Sequence, residues 1–354
     1  MMRIYKHLIR SPEELNTFNS QIDWSKIKTM WGVAPVAPLH IGYDSLIILQ
    51  KEILKRNPHR HFMILADMHS MLSHKFSWKD VRQRCYYYEY YFREMCELKK
   101  ADIILGSYFQ TRSDYIEELY SCLSSFTQSR VRESLPKNKN PNDPVYASIY
   151  AYPIMQCIDA FHVRANCIIA DEGQKKIYDL IDNFENVKII RSGVEEKFKC
   201  SNDELHFIYI PASHDIRGLP LNLSNSSTRI SIHDSKAMLE RKINSMYCPP
   251  GKEFEAGKVN ALLETFRYSI FPWFATGANV KKENGQYENY TNYSNFEQDY
   301  FELRIHPTNI KITLKEMLWN RLSNLHHHLK VGIDSWIDFK KLGIDDPRER
   351  KNNY

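Results

Sequence analysis

The segment Trp31-Gly32-Val33-Ala34-Pro35-Val36-Ala37-Pro38-Leu39-His40-Ile41-Gly42-Tyr43 decides the fold. Residues 30–35 read as a short buried strand ending in a turn, and after Pro38 a helix-like stretch covers residues 40–56. A strand that feeds a helix through a turn of small residues is the unit of parallel α/β sheets. A helix start presents unpaired N–H groups and a positive partial charge, so it suits phosphate. Small residues at Gly32, Ala34 and Gly42 let a nucleotide approach the backbone. His40, on the first turn, can donate to phosphate oxygens as charge develops.

Working outward, residues 61–66 (HFMILA), 102–106 (DIILG), 167–169, 187–190 and 207–210 are further short apolar runs of strand length. Between them, residues 78–98, 114–125 and about 175–181 read as helices, and Ser11-Pro12-Glu13-Glu14 as a helix start. This alternation predicts an α/β domain of the Rossmann type with a doubly wound parallel sheet. Residues 136–144 (PKNKNPNDP) form a polar, proline-bounded loop. Residues 211–228 lack periodicity, and a loop that long is usually functional. From residue 236 the pattern turns helical, at 236–244, 258–268 and 314–329, with a polar connector at 285–295. The expected organisation is therefore a catalytic domain over 1–235, an all-helical domain over 236–330 and a tail over 331–354.

The bulk numbers fit a soluble globular protein. The 354 residues are 43% hydrophobic and 26% charged, with a net charge of +5. That mild basicity permits a polyanionic partner without demanding one. The seven cysteines are scattered with no CxxC pair, which points to a reduced, cytoplasmic protein without a zinc site. The N-terminus lacks a long apolar stretch, and no run approaches membrane-spanning length, so neither a signal peptide nor a membrane partner is expected. His326-His327-His328 point different ways on a helix and make a poor metal site.

The His40-Ile41-Gly42-Tyr43 turn resembles the HIGH motif of class I aminoacyl-tRNA synthetases. Further blocks follow in the order of the tyrosyl branch, in its archaeal and eukaryotic form. Ile64-Leu65-Ala66-Asp67-Met68-His69 resembles "ILxADxHA", and Gly106-Ser107-Tyr108-Phe109-Gln110 resembles "GSxFQ". Tyr152-Pro153-Ile154-Met155-Gln156-Cys157-Ile158-Asp159 resembles "YPxMQxxD", and Gln174-Lys175-Lys176-Ile177 resembles "QRKI". Tyr247-Cys248-Pro249-Pro250-Gly251 resembles "YCPxG", and Leu303-Arg304-Ile305-His306-Pro307 resembles the start of "LHPxDLK". Together the blocks span about residues 30–330.

The resemblance implies an enzyme that activates an aromatic amino acid with ATP, accompanied by Mg2+, and transfers it to tRNA. It also implies a homodimer and no DNA partner. By resemblance Tyr152, Gln156 and Gln174 hold the amino acid's α-amino group, and Asp159 accepts from its phenol. The spacing of Tyr152, Gln156 and Asp159 puts all three on one side of a helix; the other reading is an ordinary amphipathic helix. Gly32 belongs to the same amino-acid pocket, and Ala34, Gly42 and Tyr43 to the nucleotide site.

Several positions depart from the family pattern. Met30 stands where the family has a second phenol-binding tyrosine, which either relaxes specificity or is a neutral core substitution. The ribose segment has become Ala170-Asp171-Glu172-Gly173-Gln174, leaving Asp171 as the candidate ribose ligand. The KMSKS position falls at residues 220–224, ending in Ser224, and no lysine occurs from Cys200 to Ser235. Loss of one preorganised cation costs about 3–4 kcal/mol, or roughly two to three orders of magnitude in rate. Arg217 and Arg229 are the candidate replacements. Asn309 stands where the family has an acid that reads an anticodon base. Three functions remain open: an active synthetase, a paralogue that uses the amino-acid pocket for another acyl or amide-forming transfer, and a non-catalytic protein that binds an amino acid or RNA.

Overall fold

The computed structural model describes residues 3–332, apart from 11–13, 15–16, 19, 21, 58–59, 74–75, 136–144, 192–193, 198–203 and 224. The helix start at Ser11-Pro12-Glu13, the loop 136–144, the tail from 333 and Ser224 therefore lie outside the described residues. The chain divides into two compact units. Unit 1 comprises Met1–Val36 and Leu49–Pro211, and unit 2 comprises Ala37–Ile48 and Ala212–Tyr354. The sequence put the end of the first domain at 235, whereas the chain divides at 211/212 and unit 2 also takes the His40 segment.

Unit 1 is built on β1 (Arg3–Leu8), β2 (Thr29–Val33), β3 (His61–Leu65), β4 (Asp102–Leu105), β5 (Cys167–Asp171) and β8 (Glu204–Ile210). These strands form a six-stranded sheet in the order β1-β8-β5-β2-β3-β4, parallel throughout. Helices cover both faces, which explains why the strands read as nearly continuous apolar runs. β1 was not anticipated: it is an edge strand, with no fully buried position and with Arg3, Lys6 and His7 among its six residues. The run at 187–190 belongs elsewhere, in an antiparallel hairpin of β6 (Lys188–Arg191) and β7 (Val194–Lys197), outside the parallel sheet.

The chain runs from β2 to β3 and β4 on one side and returns to β5 on the other, so the winding reverses between β2 and β5. Sheets of this kind bind ligands beyond the strand ends at that reversal. The β2–β5 register ends at Trp31↔Ile169, so Gly32 lies past the last pair. It is exposed, with no atom within 4 Å of where a Cβ would stand.

The helices of unit 1 used below are α1 (Asp67–Leu72), α2 (Trp78–Tyr90), α3 (Ser107–Gln110), α4 (Ser113–Ser125) and α5 (Ser148–His162). The stretch 78–98 is helical only to Tyr90, then widens into a π-helical turn at Tyr91–Met95. The core between α5 and the sheet holds Met30, Ile154, Ile158, Ile168 and Phe207. Tyr115 and Leu119 are part of the same core, while Phe126 packs on Phe184 with ring centroids 5.3 Å apart.

In unit 2 the His40 segment makes a 3-10 turn at Ile41–Tyr43 before the α-helix Asp44–Arg56 begins. The loop after Pro211 has turns and two isolated bridges, His214↔Pro220 within it and Ser231↔His40, but among the described residues no regular element before α6 (Lys236–Asn244). α7 (Ala261–Thr265) continues as a π-helical turn, and α8 (Tyr293–Phe301) and α9 (Pro307–Gly332) complete the helical part. The expected connector at 285–295 contains a strand: β10 (Tyr287–Tyr290) pairs antiparallel with β9 (Ala278–Lys281).

Candidate active site

Unit 1 holds the amino-acid group of candidates. α5 carries Tyr152, Gln156 and Asp159, and its inner face is apolar, so these polar residues need internal partners. Gln156 Nε2 donates to Gln174 Oε1 at 3.0 Å, which brings two of the expected amine-binding groups together. Asp159 is only 4% exposed. Its Oδ1 accepts from Gln110 Nε2 at 2.8 Å and from the Tyr115 hydroxyl at 2.7 Å, and its Oδ2 accepts from Gln110 Nε2 at 2.9 Å. A carboxylate has roughly four acceptor sites, so among the described residues Oδ2 keeps one unused. Burial pushes the Asp159 carboxyl above its usual range, against the pull of His69, Gln110, Tyr115 and His162.

Gln110 and Tyr115, the residues that hold Asp159, are ones that its spacing on the helix did not point to. Gln110 ends α3, whose start is fixed by Asp67: Ser107 donates to Asp67 through its backbone N–H at 2.7 Å and its hydroxyl at 2.5 Å. Gly106 is needed here, since a Cβ would stand 2.6 Å from Gln110 Oε1. The "ADxH" and "GSxFQ" blocks thus make one scaffold, and these blocks are the sequence signal that marks it. His69, on α1, is buried edge-on against Tyr152 with ring centroids 4.7 Å apart. Burial lowers its pKa against the attraction of Asp159.

Met30 is 1% exposed and sits in the core cluster, so the structure gives it an apolar role. Ala170 is likewise core. Asp171 accepts from the Gly173 N–H at 2.8 Å and so caps the turn Glu172–Gln174; burial raises its pKa. Its side chain is already engaged by its own turn, while Glu172 and Gly173 are exposed. Ala34 is half-buried in the turn after β2, its carbonyl accepting from the Val36 N–H at 2.8 Å.

Unit 2 holds the phosphate group of candidates. His40 is 4% exposed, and neither ring nitrogen has a hydrogen-bond partner among the described residues. The ring stacks on Tyr43 with centroids 4.4 Å apart. Burial, then the charge of Arg229, pushes its pKa down to about 3. Gly42 is required by close approach, since a Cβ would lie 2.7 Å from His40 Nδ1. The His40 backbone bridges to Ser231, the Ile41 N–H donates to the Ile230 carbonyl, and the Ile232 N–H donates to the Leu39 carbonyl.

That pairing brings Arg229 into electrostatic reach of His40. Arg229 is buried and donates to the Leu223 carbonyl. Its own carbonyl accepts from Lys242 Nζ at 2.6 Å, and Lys242 also pairs with both oxygens of Asp234 at 2.8 Å. Arg217 stands differently. Its Nε and one Nη donate to Asp215 Oδ2 at 3.0 and 2.6 Å, so its charge is already matched. Of the two arginines, the structure brings only Arg229 to the histidine. Of the histidine run, His326 is buried and bonds the Ile232 carbonyl through Nε2 at 2.7 Å. Among the described residues no group of three or more His, Cys, Asp or Glu side chains could hold a metal.

The family model described as tRNA synthetases class I (W and Y) matches residues 24–323. The chain belongs to this family. Among class I synthetases of the W and Y kind, it is similar to the tyrosine--tRNA ligase of Methanopyrus kandleri, at 26% identity over 79% of this chain and 82% of that protein. It is also 26% identical to the tyrosine--tRNA ligase of Methanospirillum hungatei, over 93% of this chain and all of that protein. Its fold matches the tyrosyl-tRNA synthetase of Archaeoglobus fulgidus solved with L-tyrosine, with a TM-score of 0.71 at 23% identity, covering 89% and 93% of the two chains. The Rossmann-type class I synthetase fold expected from the sequence is therefore the observed one.

Proposed function

We propose that this synthetase activates tyrosine with ATP and passes the tyrosyl group to tRNA. The observation that carries the reading is the unused acceptor site on the buried Asp159, held in place by Gln110 and Tyr115. A buried carboxylate oriented by internal donors, with one lone pair to spare, fits a ligand that brings an O–H, as a phenol does. Tyr152, Gln156 and Gln174 orient the amine. The substrate carboxylate then attacks the α-phosphorus of ATP, and pyrophosphate leaves. A tRNA ribose hydroxyl displaces AMP from the adenylate. No general base is needed in the first step, because a carboxylate is already nucleophilic. His40 donates to the phosphate oxygens as a neutral ring, Arg229 supplies positive charge in place of the missing lysines, and Mg2+ arrives with the ATP phosphates as part of the substrate.

A homodimer and a cytoplasmic location belong to the same proposal. The second is supported by the name of a 23% identical relative from Enterocytozoon bieneusi, a probable cytoplasmic tyrosine--tRNA ligase. Among the described residues no helix is long and apolar enough to cross a membrane.

A second reading, acyl transfer from a ready-made donor, is favoured by one observation: Arg217 is matched by Asp215 and the loop carries no lysine. Tyrosine-dependent ATP–pyrophosphate exchange decides between them. Exchange is expected, with Arg229→Ala reducing it about a hundredfold and Arg217→Ala changing it less than about threefold. Tyrosine binding by calorimetry without exchange supports the second reading instead.

A further inference from the structure

The His40 turn is fastened from below by a contact that the family blocks did not include. Asp44, the first residue of the helix after the turn, is fully buried, and Arg321 of α9 is 8% exposed. Arg321 offers its two terminal nitrogens to the two oxygens of Asp44, both at 2.6 Å. The guanidinium also lies over the Trp273 ring, 4.0 Å from its centroid. A parallel two-bond fork fixes direction as well as distance, and the aromatic face below it leaves the guanidinium one plane to occupy. Five residues further along α9, His326 bonds the Ile232 carbonyl. The Ile232 N–H in turn donates to the Leu39 carbonyl, in the segment that carries His40. α9 therefore grips the cradle of His40 on both sides: at the helix start that follows it and at the segment paired with it.

A buried ion pair is a poor way to gain stability, because desolvation offsets most of the attraction. Apolar residues of similar volume would serve a merely structural joint as well. What the pair supplies is a defined orientation, and the turn before the helix it orients begins at a histidine whose ring nitrogens both lack partners among the described residues. We propose that Arg321 is a positioning residue for the phosphate-binding turn, acting through Asp44 to hold His40 in place, with His326 holding the opposite side of the cradle.

This inference rests on the reading of His40 as a phosphate-stabilising group, and its test separates the two. The first readout is spectroscopic and needs no activity: the imidazole signal of His40 in histidine-labelled protein, assigned by its loss in His40→Gln. In the wild type it stays neutral between about pH 7.5 and 5. In Arg321→Gln it shifts and begins to titrate within that range, because the ring is no longer held in its buried stack. The second readout is pyrophosphate exchange. Arg321→Gln lowers kcat about tenfold while the KM for tyrosine stays within about twofold. Arg321→Lys, which keeps the charge without the fork and serves if the glutamine variant does not fold, shows the same changes at smaller size. An unmoved His40 signal in a folded Arg321 variant overturns the proposal, as does a loss shared equally between kcat and the tyrosine KM. A wild type without exchange overturns the activation reading alone, and the His40 signal still decides this one.

Discussion

Asp159 concentrates the chemistry of unit 1 in one carboxyl group. Burial alone would favour its neutral form, and three hydrogen bonds from two side chains oppose that. Replacing it by alanine leaves Gln110 Nε2 and the Tyr115 hydroxyl without their acceptor in the core. We expect Asp159→Ala to lower unfolding free energy by about 3 kcal/mol in denaturant titrations. Asp159→Asn fills the same space, but its amide presents fewer acceptor sites. The preference for tyrosine over phenylalanine in exchange should then fall about tenfold or more. An unchanged ratio would remove Asp159 from substrate recognition and leave it a structural residue. Met30 bears on the same question. As a core side chain it contributes no hydrogen bond, so under the proposed function discrimination would fall to Asp159.

The turn at His40 is the element where local geometry bears most directly on the proposed function. Gly42 is there because His40 folds back over it: a methyl group would stand 2.7 Å from Nδ1 and 3.1 Å from Ser213 Oγ. Gly42→Ala must push the imidazole or the loop aside, and we expect exchange to fall about tenfold while tyrosine binding by calorimetry is unchanged. Equal loss in both would place the damage in the fold.

Elements like this were legible in the sequence because their signals are local: a strand run, a small-residue turn, a histidine. α6 was readable for the same reason, with Ser235 capping it by accepting from the Met238 N–H. What the sequence hid is long-range pairing. The β6 segment looks like any apolar run until its partner β7 is known, and β1 lacks a continuous apolar run because it is an edge. Arg217 and Arg229 look equivalent on one loop, and only Asp215 beside one and His40 beside the other tells them apart. Tyr115 carries no sequence mark of its role, and the structure makes it a hydrogen-bond donor to Asp159.

At the scale of the whole molecule, the chain buries neutral histidines in both units. Burial pushes His40 down to about 3 and His61 down to about 4, from an ordinary 6.5. His61 lies beside the Thr29 hydroxyl, with Nδ1 2.5 Å from Oγ1. A group whose folded pKa is depressed binds its proton more readily in the unfolded chain, so falling pH favours unfolding. The contribution of each histidine is intact above about pH 6.5 and is lost as pH falls toward its folded value, about 2 kcal/mol being gone by pH 5. Asp159, Asp171 and Asp234 act in the opposite sense, since burial raises them and their folded forms hold protons more readily. The net slope therefore mixes two signs, and single substitutions isolate one. In His61→Gln the unfolding free energy should change less between about pH 7.5 and 5 than in the wild type, by about 2 kcal/mol. His40→Gln should behave alike, by a different route through unit 2. Calorimetric unfolding at several pH values reads this directly, and parallel pH profiles for wild type and variant would show that the histidine carries its proton in the folded state after all.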